Sequence, residues 1–147
     1  DSPDISVLEV RSKARRLLAE KGTFVLILDY LQLMHSDERV ENRVQEISKI
    51  SRQLKNLAKE LKIPVIVLSQ LSREIEKRQD KKPLLSDLRE SGAIEQDADV
   101  VMFLHKPKEE SDDNDIITLY LAKQRNGPTG KVDLSFEKSF TKFVEKP

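Results

Sequence analysis

Two short apolar runs, Phe24-Val-Leu-Ile-Leu28 and Val65-Ile-Val-Leu68, flank an amphipathic stretch from Asn42 to Leu61, and this alternation constrains the fold more than any other feature of the chain. Each run is too short for a helix between such turn and cap signals, and its continuous apolarity suits a strand buried on both faces. Between them Val44, Ile47, Leu54, Leu57 and Leu61 recur at helical spacing among lysines and glutamates, until Pro64 forbids continuation. Strand, helix and strand in that order make a βαβ unit of parallel sheet. Upstream, Ser6-Val-Leu-Glu9 is a capping-box pattern. It opens a further amphipathic helix, with Val7, Val10, Ala14, Leu17 and Leu18 at helical spacing and an end near Lys21-Gly22.

Beyond the second run the pattern changes. Ser72 to Pro83 is charged, lacks apolar periodicity and reads as an exposed loop. Ala98 to Leu104 supplies a third apolar strand, Glu109 to Asp115 an acidic turn, and Ile116 to Ala122 a fourth strand. Gly127-Pro128 and Gly130 punctuate a hairpin into Lys131 to Phe136, with a last short strand near Phe140 to Val144. The expected architecture is a parallel α/β core with an antiparallel extension at one edge. At 147 residues the default is one domain spanning residues 1–147, large enough to bury a core without metal or disulfide support.

The absence of cysteine excludes a disulfide framework, thiolate metal sites and a cysteine nucleophile, and fits the cytoplasm. No apolar run approaches the roughly 20 residues needed to span a bilayer. Formal net charge is zero, so any nucleic-acid contact must come from local geometry rather than overall charge.

In an open parallel sheet, ligands bind where strands end, because the loops there converge on a crevice. Asp29 ends the first apolar run, where a carboxylate serves either as an oxygen ligand to Mg²⁺ or as a cap on a turn. Gln70 ends the second, and its amide suits a phosphate oxygen as well as it suits solvent. Lys123 and Arg125, two apart near the end of a strand, should project from the same face. They form either a pair that neutralises a phosphoryl group or an ordinary solvated edge. Ser86-Asp-Leu-Arg-Glu-Ser-Gly92 offers Arg89 and the backbone near Gly92 to a nucleic-acid phosphate, or is a short capped helix ending at glycine. His35 and His105 lack metal-ligand spacing.

The order and wording of four segments resemble the DnaB family of hexameric replicative helicases across nearly the whole chain. They are Leu26-Ile-Leu-Asp-Tyr-Leu-Gln-Leu-Met34, Val65-Ile-Val-Leu-Ser-Gln-Leu-Ser-Arg-Glu74, Leu85-Ser-Asp-Leu-Arg-Glu-Ser-Gly-Ala-Ile-Glu-Gln-Asp-Ala-Asp99 and Ala122-Lys-Gln-Arg-Asn-Gly127. The third is the most specific, because RecA-like ATPases in general share the strand-plus-aspartate pattern but not the wording from Ser86 to Asp99. A recombinase or clock-type hexamer is the rival within the RecA-like class, and a non-catalytic RecA-like interaction module is the rival outside it. Retention of Asp29, Gln70, Lys123 and Arg125 together argues against the latter.

The resemblance implies a partial RecA-like P-loop NTPase core, a parallel sheet with helices on both faces, in a 5′-to-3′ motor that binds ATP and Mg²⁺ between subunits of a homohexamer. Single-stranded DNA threads the ring, and primase and a helicase loader are implied partners. Asp29 would then partner magnesium and Gln70 would link nucleotide state to the DNA-facing loops. Lys123 and Arg125 would reach the neighbouring subunit's γ-phosphate, while Arg89, Glu90 and Gly92 would follow the DNA backbone. The family's Gly-rich P-loop and the glutamate downstream of it do not occur in these 147 residues, which read as a truncated portion that leaves apolar surface uncovered. The 147-residue polypeptide alone is therefore expected to hydrolyse no ATP. A magnesium-dependent phosphate-release assay checks this, and measurable turnover would refute it.

Overall fold

A computed structural model describes residues 5–88, 92–106 and 115–145. The chain divides into two compact units, one formed by residues 1–71 and 88–97, the other by residues 72–87 and 98–147.

In the first unit, β1 (Ile5–Ser6) leads directly into α1 (Val7–Lys21). Ser6 caps that helix reciprocally: its hydroxyl accepts the Glu9 N–H and the Glu9 carboxylate accepts the Ser6 N–H, both at 3.3 Å. Gly22 ends it at φ 78°, in the positive-φ region that glycine enters without steric cost. β2 (Leu26–Leu28) follows, then a 3₁₀ turn (Leu31–Leu33), β3 (Met34–His35) and α2 (Arg43–Leu61). Asn42 caps α2 through the Gln45 N–H at 2.9 Å, and Lys62 closes it in the left-handed conformation. β4 (Val65–Val67) then pairs parallel with β2, Leu28 standing opposite Val67, while β1 pairs parallel with β3. The unit also includes α3 (Gly92–Asp97), which contacts α2.

The helical periodicity builds the core of this unit. Ile47, Ile50, Leu54 and Leu57 of α2 meet Val7 and Val10 of α1 together with Leu31 and Met34, and Ile50 is completely buried. Leu26, Leu28 and Val67 pack against this cluster from one face of the β2–β4 pair, and Ile94 of α3 joins it.

The expectation that both apolar runs are buried on both faces does not hold. Ile27 is 61% and Ile66 46% exposed, because among the described residues α1 and α2 cover only the face carrying Leu26, Leu28 and Val67. An apolar strip is thus left open among the described residues.

In the second unit, β5 (Val100–His105), β6 (Ile116–Gln124), β7 (Gly130–Glu137) and β8 (Lys142–Glu145) form an antiparallel sheet in sequential order. Val101 and Phe103 are buried while Val100, Met102 and Leu104 are exposed, the alternation of a sheet covered on one side. The β5–β6 register slips after Val101, which faces Lys123 while Met102 faces Leu121, so Ala122 is the extra residue of a bulge. Buried Thr118 donates its hydroxyl to Asp133 directly across the ladder at 2.7 Å.

The stretch from Ser72 to Pro83 is more structured than the exposed loop its charge suggests. A 3₁₀ turn spans Arg73–Lys77, Pro83 is buried, and Arg78 is ion-paired to the nearly buried Asp87. Asp87 also accepts the Leu84 N–H at 2.7 Å. The physical reason is that Arg78 and Asp87 neutralise each other inside the unit rather than in water.

Candidate active site

The carboxyl ends of β2 and β4 lie side by side, and the chain continues from β2 into Asp29 and from β4 through Leu68 into Ser69 and Gln70. Leu68 donates its N–H to the Leu28 carbonyl at 2.9 Å, and Leu31 donates to the Leu68 carbonyl at 2.8 Å, so the parallel ladder runs one step past both strands. By this register Asp29 follows Leu28 opposite Leu68, and Ser69 and Gln70 come next along the neighbouring strand end. Asp29 and Gln70 are both exposed, and the Asp29–Tyr30 peptide bond is cis. Among the described residues no hydrogen bond is made to the Asp29 carboxylate. The turn-capping alternative therefore has no partner to name, and an exposed carboxylate oxygen at a strand end suits a hard cation such as Mg²⁺.

Gln32, in the 3₁₀ turn three residues after Asp29, bridges the two strand ends. Its Nε2 donates to Ser69 Oγ at 3.0 Å and to the Gln70 carbonyl at 3.4 Å, and its Oε1 accepts the Gln70 N–H at 3.2 Å. Arg43, at the start of α2, holds the same turn from its other side. Its guanidinium donates to the carbonyls of Gln32 and Met34 at 2.7 and 3.2 Å and pairs with Glu46 at 2.5 Å. Sequence reasoning assigned neither Gln32 nor Arg43 a role. Both are visible only once the turn and helix are placed, since nothing in their spacing says which backbone groups they reach.

Glu46 completes this support by accepting the Ser36 N–H at 2.9 Å. That backbone hydrogen bond, and then Arg43, hold its carboxyl below the ordinary value of 4.5, against an opposing contribution from burial. A carboxyl depressed in the folded state stabilises the fold above its unfolded pKa, and this stability is lost as pH falls through the folded value. Glu46→Gln is expected to lower stability by about 1 kcal/mol at neutral pH, with the gap to the parent narrowing below the ordinary carboxyl range. Urea denaturation at neutral and at progressively lower pH checks this, and a pH-independent gap would rule out the charge as its source.

The second unit carries the cations. Lys123 is the penultimate residue of β6, half-buried and paired with Val101. Arg125 lies one residue past the end of β6, at the start of the turn. What positions Arg125 is Asp99: the Arg125 N–H donates to the Asp99 carbonyl at 2.8 Å, and its Nε lies 3.2 Å from the Asp99 carboxylate. A Cβ at Gly127 would come within 2.6 Å of Gln124 Nε2, so the flexible Gln124 side chain would have to move aside to admit one.

Arg89 and Glu90 lie outside the described residues. Gly92 opens α3 rather than ending a helix, and a Cβ added there would meet nothing within 4 Å. No group of histidines, cysteines and carboxylates among the described residues is arranged to hold a metal ion, and no helix among them is long and apolar enough to cross a membrane.

Comparison with known proteins establishes the family. The chain is 54% identical to the replicative DNA helicase DnaB of Geobacillus stearothermophilus and 53% identical to the replicative DNA helicase DnaC of Bacillus subtilis, with 98% of the chain aligned in each case. It spans about a third of the length of these curated relatives, 33% of each. Among solved structures it superposes with a TM-score of 0.94 and 43% identity on a DnaB-like replicative helicase described with its primase interactions, covering 100% of this chain and 36% of that one. A second solved structure, of an ATPase domain, matches equally well, at a TM-score of 0.94 and 43% identity, with 54% of that chain covered. The model of the DnaB-like helicase C-terminal domain matches residues 1–145, and the chain belongs to that family.

Proposed function

We propose that these residues are part of the ATP-driven motor of a hexameric replicative helicase that moves 5′ to 3′ on single-stranded DNA and unwinds the duplex at the replication fork. The observation that carries this reading is that Asp29 and Gln70 follow the carboxyl ends of two adjacent, paired parallel strands, in a chain of the DnaB-like family. Ligand chemistry in an open α/β sheet gathers at such strand ends.

Asp29 would hold Mg²⁺, which when bound neutralises charge on the phosphate oxygens of ATP. Gln70, donor and acceptor at once, would contact the γ-phosphate or the water beside it. Lys123 and Arg125 would act across the subunit boundary of a homohexamer on the neighbour's γ-phosphate. Arg89, Glu90 and Gly92 would follow the DNA backbone without regard to base sequence. Primase, with which a structural relative is described, and a loader are the proposed partners, and the cytoplasm is the proposed location.

The full-length protein tests the reading. Its ATP turnover should require Mg²⁺ and rise with single-stranded DNA, and it should displace a strand from a substrate with a 5′ tail but not from one with a 3′ tail. Turnover indifferent to DNA would oppose the helicase reading and favour another RecA-like ATPase. In the same protein Arg89→Ala is expected to weaken single-strand binding and to lower the slope of log affinity against log salt by roughly one unit, equally for all base sequences. An unaltered slope would return Arg89 to a structural role.

A further inference from the structure

We propose that Gln32 is a positioning residue that sets the Gln70 backbone against the strand end carrying Asp29, and so determines how Gln70 meets the nucleotide. This rests on the proposed role of Gln70 and deepens it.

The geometry is specific to a primary amide. Gln32 Oε1 accepts the Gln70 N–H at 3.2 Å while Nε2 donates to the Gln70 carbonyl at 3.4 Å and to Ser69 Oγ at 3.0 Å. Both backbone groups of Gln70 are thus held by one side chain, and only an amide offers the acceptor and the donors together. Past the last ladder bond, from Leu31 N–H to the Leu68 carbonyl, Gln70 has no further strand partner among the described residues, so Gln32 takes over where the ladder stops. Gln70 is exposed, and water would satisfy the same backbone groups. The clamp is therefore not needed to avoid an unsatisfied polar group, and what it adds is a fixed direction.

Gln32 is in turn well placed to hold that direction. It sits in the 3₁₀ turn between Leu31, which is 2% exposed within the core, and Leu33, and its own carbonyl accepts Arg43 Nη2 at 2.7 Å. A shift of Gln70 on contact with phosphate would pull on Gln32 and, through that carbonyl, on the first turn of α2. Gln70 is thereby tied to the turn that follows Asp29.

The test compares the full-length protein with Gln32→Ala, Gln70→Ala and the double variant, measuring kcat and KM for ATP with saturating single-stranded DNA. Gln32→Ala should lower kcat about tenfold while KM changes less than about twofold, the signature of an interaction made chiefly in the transition state. The double variant should be no slower than Gln70→Ala alone, because Gln32 acts through Gln70.

Wild-type kcat in Gln32→Ala, or losses that multiply in the double variant, would overturn the inference while leaving Gln70 its role. Wild-type turnover in Gln70→Ala would instead overturn the role of Gln70, and the inference with it. Should Gln32→Ala fail to fold, Gln32→Glu carries the test. It keeps the acceptor for the Gln70 N–H but has no donor for the Gln70 carbonyl, so the same loss of kcat is expected, and wild-type kcat there would overturn the proposal.

Discussion

Arg125→Ala in the full-length protein is expected to cut ATP turnover by about 10³ to 10⁵ while leaving nucleotide affinity largely intact. A guanidinium that stabilises charge only as the γ-phosphoryl group transfers contributes little to ground-state binding, so its loss falls on kcat. The local geometry permits this task. Arg125 stands in the turn after β6, and its side chain is half exposed and paired with Asp99, itself half exposed. An ion pair at such exposure is worth roughly 0–1 kcal/mol, whereas the expected rate loss corresponds to about 4–7 kcal/mol. Asp99 therefore holds the guanidinium without competing seriously with a phosphate. Because the arginine is proposed to act on the neighbouring subunit, mixing variant with wild-type protein should depress turnover by more than simple dilution. Arg125→Lys should restore little, since an ammonium keeps the charge but not the planar fork of donors. Turnover within a few-fold of wild type in Arg125→Ala would remove the assignment.

Much of the fold was legible in the sequence because its signals are local. The Ser6–Glu9 capping box, the α2 periodicity ended by Pro64, and the glycine-marked hairpin after β6 are each written in residues close together, and each is found where the pattern placed it. The open face of β2 and β4 was not legible, since an apolar run of the same composition serves a strand covered on one side or on two, and the difference lies in which elements are present to cover it. The candidate site divides the same way. Asp29 and Gln70 could be proposed from their places at the ends of apolar runs. Gln32, Arg43 and the Asp99 partner of Arg125 could not, because their contacts run between segments distant in sequence: 38 positions separate Gln32 from Gln70.

Asp29→Asn should produce the other large loss, lowering kcat about 10² to 10³ and raising the Mg²⁺ concentration needed for half-maximal turnover. The substitution is nearly isosteric and removes only the charge, so it separates the two readings of a strand-end aspartate. As a turn cap, the residue would be replaced adequately by asparagine, a good acceptor in the same geometry. As a magnesium partner it would not, because a neutral amide is a poor substitute for a carboxylate beside a divalent cation, and the several kcal/mol of charge stabilisation that the ion supplies in the transition state would fall with its occupancy. Folding should be almost untouched: Asp29 is exposed, and the ladder around it is made by the backbone of Leu28, Leu31 and Leu68. Thermal unfolding and magnesium titration of turnover in the same preparation make the comparison. A melting temperature near the parent value with kcat lost identifies a metal partner. Wild-type kcat at wild-type magnesium demand would make Asp29 a solvent-facing strand end and place the magnesium elsewhere.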